Sequence, residues 1–389
     1  MSLQQIQADL GVAIPGRATA AATDEYAERL ERVARPEHFR NAQGLKLSSI
    51  GLGTYLGDAT DDADASYRSA IVRAIELGCN FLDTAINYRH QRAERCVGAA
   101  LATACEGDTQ RSEIVVSTKA GYLPFDGELP ENPHAYLREQ YRERLQLADD
   151  ELVGGHCMAA SFLRDQIAQS RANLGLETID VFYLHNPEEQ LRAIDRETFG
   201  RRLRAAMEVL EDSCRQGHIA SYGLATWAGF RESAEHRQYL SLNEVVRWAT
   251  EVGGPQHHFR FLQLPLNLTA LEPFMLANQR HEGQWSTLLR VAKAHGIHVV
   301  TSAPLLQARI IGHLPQPIQE AFSPLTSEVQ RTVQFVRSVP GVGTVLVGMS
   351  RPQHVEENLA LAGIAPDSEA VERLFRRTPR SEGAASSSG

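Results

Sequence analysis

Phe81-Leu82-Asp83-Thr84-Ala85-Ile86-Asn87-Tyr88 begins as a short apolar run, breaks at an acid and then presents a phenol. The run has the length of a buried strand, and the polar break marks where it gives way to a loop. A helix-period pattern over Ala93–Cys105 follows, so the segment reads as one strand–loop–helix unit. A carboxylate at such a strand end is poorly placed for core packing and well placed to face a pocket.

The same unit recurs along the chain. Strands are expected at Leu47–Thr54, Asn80–Asp83, Ile114–Lys119, Ile179–His185, Ile219–Thr226, Phe261–Leu266, His298–Ser302 and Val342–Gly348. Helical periods lie between them at Asp61–Leu77, Ala93–Cys105, Phe162–Leu174, Phe199–Gln216, Leu242–Thr250, Ser286–His295 and Ser327–Ser338, with Pro352–Leu361 after the last strand. Glycines such as Gly78, Gly175, Gly217 and Gly296 stand where a left-handed helix stop is needed. Eight parallel strands alternating with helices predict the α/β class and a closed (β/α)8 TIM barrel, with its site at the carboxyl ends of the strands. A barrel of this kind takes roughly 250 residues, so 389 residues predict one barrel with extensions.

The expected division is an N-terminal extension over 1–36, the barrel over 37–366, and a C-terminal helix with a low-complexity, disordered tail over 367–389. The extension carries a predicted helix at Thr23–Arg35 and reads as an appendage to the core; a hairpin is expected around Asn41–Gly44. The interval Gly121–Ala160, rich in Pro, Gly and charge, interrupts the rhythm and predicts a lid-like insert over the pocket. The glycines of Gly51-Leu52-Gly53-Thr54-Tyr55 are not spaced as a dinucleotide fingerprint, which argues against a Rossmann unit.

Composition narrows the function class. Hydrophobic residues at 43% and charged residues at 22% are those of an ordinary globular protein. A net charge of −9 without a long basic run argues against nucleic acid or an anionic membrane as the main partner. Cys79, Cys96, Cys105, Cys157 and Cys214 are scattered, which suggests reduced thiols in a cytoplasm rather than disulfides or a zinc site. No leader pattern or spanning apolar stretch is visible. His156-Cys157 and His257-His258 lack partners at metal-binding spacing, so no metal is expected.

Within a barrel, polar residues at successive strand ends converge on one mouth. Asp83, Lys119 and His185 end three of the predicted strands, and Tyr88 lies just beyond the first of them. Taken singly, each has a bland reading: helix cap, snorkelling cation, satisfied core histidine, packed ring. Together they support proton delivery to a carbonyl oxygen during hydride transfer. A free phenol has a pKa of about 10, and a nearby ammonium favours phenolate. Lys119 would supply that charge, Asp83 would hold the lysine, and His185 would align the oxygen, with Tyr88 as acid in reduction and base in oxidation.

Over roughly residues 38–365 the chain resembles the aldo-keto reductase family, through GLGTY (51–55), FLDTAINY (81–88), VVSTK (115–119), RANLGLETIDVFYLHNP (171–187), YGLATW (222–227), Gln263, SAPL (302–305) and VGMSRPQHVEENL (347–359). The resemblance implies a catalytic tetrad on Asp83, Tyr88, Lys119 and His185, with a nicotinamide cofactor, usually NADPH/NADP+ and possibly NAD, bound without a Rossmann fold. It implies cofactor contacts at Gly53, Thr54, Asp83, Thr226 and Gln263, at Pro304 and Leu305 of the SAPL segment, and at Ser350, Arg351, His354, Glu357 and Asn358, with Arg351 on a 2′-phosphate. Tyr55, Tyr88 and His185 would face the substrate. Ala225 and Ser302 depart from the family's pattern, where a serine and a ring that stacks on the nicotinamide are usual. The expected substrate is a small carbonyl compound or sugar. Two alternatives stand beside the reductase: an aldose-type dehydrogenase working oxidatively, and a cofactor-binding redox sensor like the family's potassium-channel β subunits.

Overall fold

The computed structural model describes residues 13–375, so the predicted low-complexity tail lies outside the described residues. The barrel strands are β1 (Ile50–Gly53), β2 (Phe81–Asp83), β3 (Val115–Ala120), β4 (Ile179–His185), β5 (Ile219–Ala225), β6 (Phe259–Pro265), β7 (His298–Ser302) and β8 (Thr344–Gly348). All neighbours pair in parallel, and β8 returns to β1 to close the barrel. Around it run α1 (Asp61–Glu76), α2 (Arg92–Cys105), α3 (Ala160–Leu174), α4 (Arg196–Arg215), α5 (Leu242–Gly253), α6 (Leu288–Ala294), α7 (Glu328–Ser338) and α8 (Pro352–Leu359). This is the predicted (β/α)8 fold.

The barrel interior follows from the two-residue period of a strand. Phe81, Val115, Val181, Tyr183, Phe261, Val300 and Leu346 form one buried interior cluster. Counting on by two from them reaches Asp83 on β2, Ser117 and Lys119 on β3, His185 on β4 and Gln263 on β6. The inward positions thus change from apolar to polar toward the carboxyl ends. Outward positions such as Leu82, Val116, Phe182 and Leu262 join the larger core between sheet and helices. Helix ends match their sequence signals: Gly175 caps α3 at φ 60°, and Gly78 sits at φ 100° before β2.

Three segments differ from the expectation. The predicted strand Leu47–Thr54 is two elements, because Leu45–Ser48 pairs with Phe39–Ala42 in the N-terminal hairpin while Ile50–Gly53 enters the barrel. Ser48 Oγ donates to the Ile50 carbonyl (2.9 Å) at the corner between them. The helix of the extension runs over Ala20–Arg29, not Thr23–Arg35; it starts three residues earlier because Thr19 caps it. Ser286 belongs to a second hairpin, Gln279–His281 with Gln284–Ser286, turned through Glu282 and Gly283 at positive φ. α6 therefore starts at Leu288.

The described part of the extension is packed against the barrel. Tyr26 is 1% exposed and donates to the Ile75 carbonyl, and the Ala18 amide donates to Asp180 (2.7 Å). Asn80, just before β2, accepts from the Ser48 amide and donates to the Lys46 carbonyl. The N-terminal hairpin therefore closes the amino end of the barrel and leaves the carboxyl end open. The insert is folded too, with a short helix (Pro133–Leu137), a wider helical turn (Arg138–Glu143) and a small hairpin, Leu152–Val153 with His156–Cys157. Tyr141 is buried with its hydroxyl on the Pro124 carbonyl, and Arg144 forks onto Asp165 of α3 (2.6 and 2.9 Å).

Candidate active site

At the open end, β2 and β3 place Asp83 beside Lys119, with Nζ 2.6 Å from Oδ2. The lysine also donates to the Thr84 carbonyl (2.7 Å), and Asp83 Oδ1 accepts from Ser117 Oγ (2.7 Å) and Gln263 Nε2 (2.8 Å). The pair is buried, with Lys119 at 0% and Asp83 at 3% exposure. Burial disfavours the ammonium most, but Asp83 and Tyr88 together outweigh it and hold Lys119 above the ordinary lysine range. A buried pair this completely bonded is a fixed electrostatic fixture rather than a surface salt bridge.

Tyr88 lies over this pair, with Lys119 Nζ 4.8 Å from the ring centroid. Its ring meets Tyr55 edge-on at 5.0 Å and His185 at 5.9 Å. Burial raises the phenol above its ordinary value while Lys119 pulls it down; the net direction is upward. Tyr88 is therefore protonated near neutrality, a donor more readily than a base. His185 is held well below the ordinary histidine range by burial first, then by Lys119 and His156, so its imidazole is neutral. Its Nδ1 is buried without a partner among the described residues. The structure thus brings together the three strand-end residues picked out in the sequence and Tyr88, and Tyr55, 58% exposed, joins them at the rim.

The residues implied for cofactor contact fall into two groups. Thr54 is buried, its amide and hydroxyl both on the Asp83 carbonyl (3.1 Å each) beside Gly53. Thr226 follows β5, its amide on the Gln263 carbonyl (2.8 Å) and its Oγ1 buried without a partner among the described residues. Ala225, which has no polar side chain, accepts the Asn186 amide through its carbonyl (2.6 Å). Beyond β7, Pro304 and Leu305 lie in a loop where Ala303, Leu306, Gln307 and Ala308 all have positive φ. Ser350, Arg351 and His354 gather at the start of α8, where Arg351 is exposed and makes no ion pair among the described residues. Asn358 is buried with Oδ1 unpartnered among the described residues, whereas Glu357 already accepts from Ser327 Oγ (2.6 Å).

Other residues of the mouth escape a reading of the sequence. Ser117 was reachable, since it lies two residues before Lys119 and must face the same way. Glu188 was not: its buried carboxylate accepts the amides of Trp227 (2.7 Å), Ala228 (3.0 Å) and Gly229 (3.2 Å), fixing the loop that carries the half-exposed Trp227. Tyr122 and His156 also crowd His185. His258 bonds Glu211 and His257 faces Arg260, and no group of three or more metal-binding side chains occurs among the described residues. No helix there is long and apolar enough to cross a membrane.

Comparison with known proteins bears on the family and the fold. The Aldo/keto reductase family model matches residues 49–312. The chain is 23% identical over 332 residues to YqkF of Bacillus subtilis (strain 168), an uncharacterized oxidoreductase, covering 82% of this chain and 88% of that protein. It is 30% identical over 189 residues to a D-threo-aldose 1-dehydrogenase of a Pseudomonas species, covering 48% of this chain and 52% of that one. Among solved structures, an aldo/keto reductase of Klebsiella pneumoniae in complex with NADP and acetate superposes with a TM-score of 0.58 at 18% identity, covering 88% of this chain and 97% of the other. At that identity the likeness speaks for the fold.

Proposed function

The chain belongs to the aldo/keto reductase family, and from that premise we propose that it is an NADP(H)-dependent oxidoreductase that reduces the carbonyl group of a small aldehyde, ketone or aldose. The observation that carries the reading is the buried Lys119–Asp83 pair set beneath a protonated Tyr88, with neutral His185 alongside. A reduced nicotinamide, when bound, supplies the hydride to the carbonyl carbon. Tyr88 delivers the proton to the carbonyl oxygen, and Lys119 stabilises the phenolate left behind. Asp83 keeps Lys119 in place, and His185 orients the oxygen. In the oxidative direction Tyr88 takes the proton back.

The residues present fit such a cofactor. Thr226 Oγ1 and Asn358 Oδ1 are buried polar atoms without partners among the described residues, which a ligand's polar edges would satisfy. Arg351, free of ion pairs among the described residues and standing where α8 opens on Pro352, suits a phosphate. Gly53, Thr54, Gln263, Pro304, Leu305, Ser350 and His354 complete the set that would hold it. Glu357 is the least available, being engaged by Ser327. Aldoses are the favoured substrates on the likeness to D-threo-aldose 1-dehydrogenase, which also favours testing the oxidative direction.

A fluorescence titration with NADPH and with NADH, followed by a panel of aldehydes and aldoses in the same cuvette, tests the proposal. Tight NADPH binding with substrate-dependent consumption is expected. Binding of neither cofactor would overturn it, and binding without turnover across the panel and in both directions would point to the redox-sensing alternative.

A further inference from the structure

His185 ends β4, and the chain turns sharply after it, with Asn186 in the left-handed region at φ 48°. A strand end at such a corner needs support if its side chain is to stay aimed. That support comes from the insert between β3 and α3. The Cys157 amide donates to the Gly121 carbonyl (2.7 Å), the Leu123 amide to the Gly155 carbonyl (3.0 Å), and Tyr122 bridges to His156 in antiparallel fashion. The hairpin that returns the insert to the barrel is thus stitched to the end of β3, two residues past Lys119. It also reaches β4. His156 Nε2 lies 2.7 Å from the His185 carbonyl, which can only accept, so that nitrogen carries the proton.

His156 Nδ1 is then the acceptor, and the Gln190 amide stands 3.1 Å away to donate to it. Gln190 is oriented by Arg202 of α4, which donates to its Oε1 (2.7 Å) and also holds the Asp150 carbonyl of the insert (2.7 Å). His156 is 1% exposed, with both ring nitrogens bonded and its pKa lowered by burial to about 4. The Tyr122 ring stands edge-on between the two histidines, 5.1 Å from His156 and 5.2 Å from His185, and its hydroxyl accepts from Asn186 Nδ2 (3.0 Å). Gly121 allows this closeness: a Cβ there would lie 2.5 Å from the His185 carbonyl oxygen and 2.8 Å from His156 Nε2.

We propose that the return hairpin of the insert is a clasp across the ends of β3 and β4, and that His156 is a positioning residue that keeps the His185 imidazole aimed at the reacting oxygen. The inference rests on the reading that places His185 at the carbonyl. It assigns the insert a role as scaffold of the site, apart from any covering of the mouth. The hydrogen-bonded chain Arg202–Gln190–His156 runs from a helix of the outer ring to the strand end. Because His156 bonds the backbone and not the imidazole, it acts on where His185 points, not on its proton.

The test uses the full chain and two substitutions, His156→Phe, which keeps ring volume but removes both bonds, and His156→Gln, whose amide can still donate to the His185 carbonyl. With NADPH and glyceraldehyde as the probe, His156→Phe is expected to lower kcat/KM tenfold or more while the Kd for NADPH changes by less than threefold, and His156→Gln to recover most of the loss. The second readout is the ring spectrum of His185 in 15N-histidine-labelled protein, assigned with His185→Asn. A single neutral tautomer is expected in the parent chain and in His156→Gln, and shifted or broadened signals in His156→Phe. Unchanged His185 signals in a folded His156→Phe protein, or equal losses in both variants, would overturn the inference. Full turnover by Tyr88→Phe would instead remove the general-acid reading, and the His185 spectrum would still decide the clasp; it decides also if glyceraldehyde is not turned over.

Discussion

The two sides of the barrel mouth are built on different terms. On the β2–β4 side the charged pair and the strand end are already bonded to protein, Asp83 to Lys119, Ser117 and Gln263, and the His185 backbone to His156, while the His185 Nδ1 has no partner among the described residues. Across the mouth, beyond β5, β7 and β8, Thr226 Oγ1 and Asn358 Oδ1 are buried and unpartnered among the described residues, and four non-glycine residues after β7 hold positive φ. The first side is preorganised, so its charges cost no rearrangement at the moment of reaction. The second carries unsatisfied polar atoms and backbone strain, each costing about 1–3 kcal/mol, as expected of a surface completed by a ligand.

The contrast can be broken first at its most rigid point. Lys119→Met leaves the Asp83 carboxylate buried beside two neutral donors, and is expected to cost about 3 kcal/mol or more in stability by denaturant titration, with activity abolished. A loss under about 1 kcal/mol would mean that the pair is not a fixture. Tyr88→Phe touches the same side without disturbing the pair, and is expected to lower carbonyl reduction by about a hundredfold or more while leaving the melting temperature and NADPH binding nearly unchanged. Wild-type turnover in that variant would remove Tyr88 from the chemistry.

The raised pKa of Tyr88 gives a sign to the pH dependence. Reduction needs the phenol protonated and oxidation needs phenolate. Oxidative kcat should therefore climb between pH 7 and 9, by up to about tenfold per unit, while reductive kcat stays flat over the same range. Parallel profiles in the two directions would show that Tyr88 is not the titrating group.

On the incomplete side the effects should be smaller and should depend on ligand. Arg351→Ala is expected to weaken NADPH by about tenfold, the scale of one charged contact, and NADH hardly at all. Equal weakening of both would remove Arg351 from the 2′-phosphate. Smallest is Ala308→Gly, which relieves a left-handed residue at φ 65° and should stabilise the protein by up to about 1 kcal/mol in the absence of cofactor. A loss of stability there would mean that the alanine methyl packs better than the backbone is strained.

Much of the preorganised side was legible because strand parity is a local rule. Asp83, Lys119 and His185 each end an apolar run, and in a parallel barrel every such end points at one mouth. The outer features were less so. Ser286 read as helix because its neighbours carry helical period, and only the Glu282–Gly283 turn makes it a strand. Leu47–Thr54 read as one strand because the corner at Ser49 has no glycine or proline to announce it. The lid expected over 121–160 was an inference from length and composition, which say nothing about where a loop docks; Arg144 on Asp165 and His156 on His185 do.

The sequence by itself determined the alternation of strands and helices, hence the closed parallel barrel and the inward side of each strand, because hydrophobic periodicity is written within a few residues and needs no distant partner. Only the tertiary structure decided which groups meet. His156 and His185 are far apart in the chain, as are Gln263 and Asp83, and no local pattern encodes that their hydrogen bonds will form; the barrel's closure brings them within reach, and burial then makes leaving them unbonded too costly.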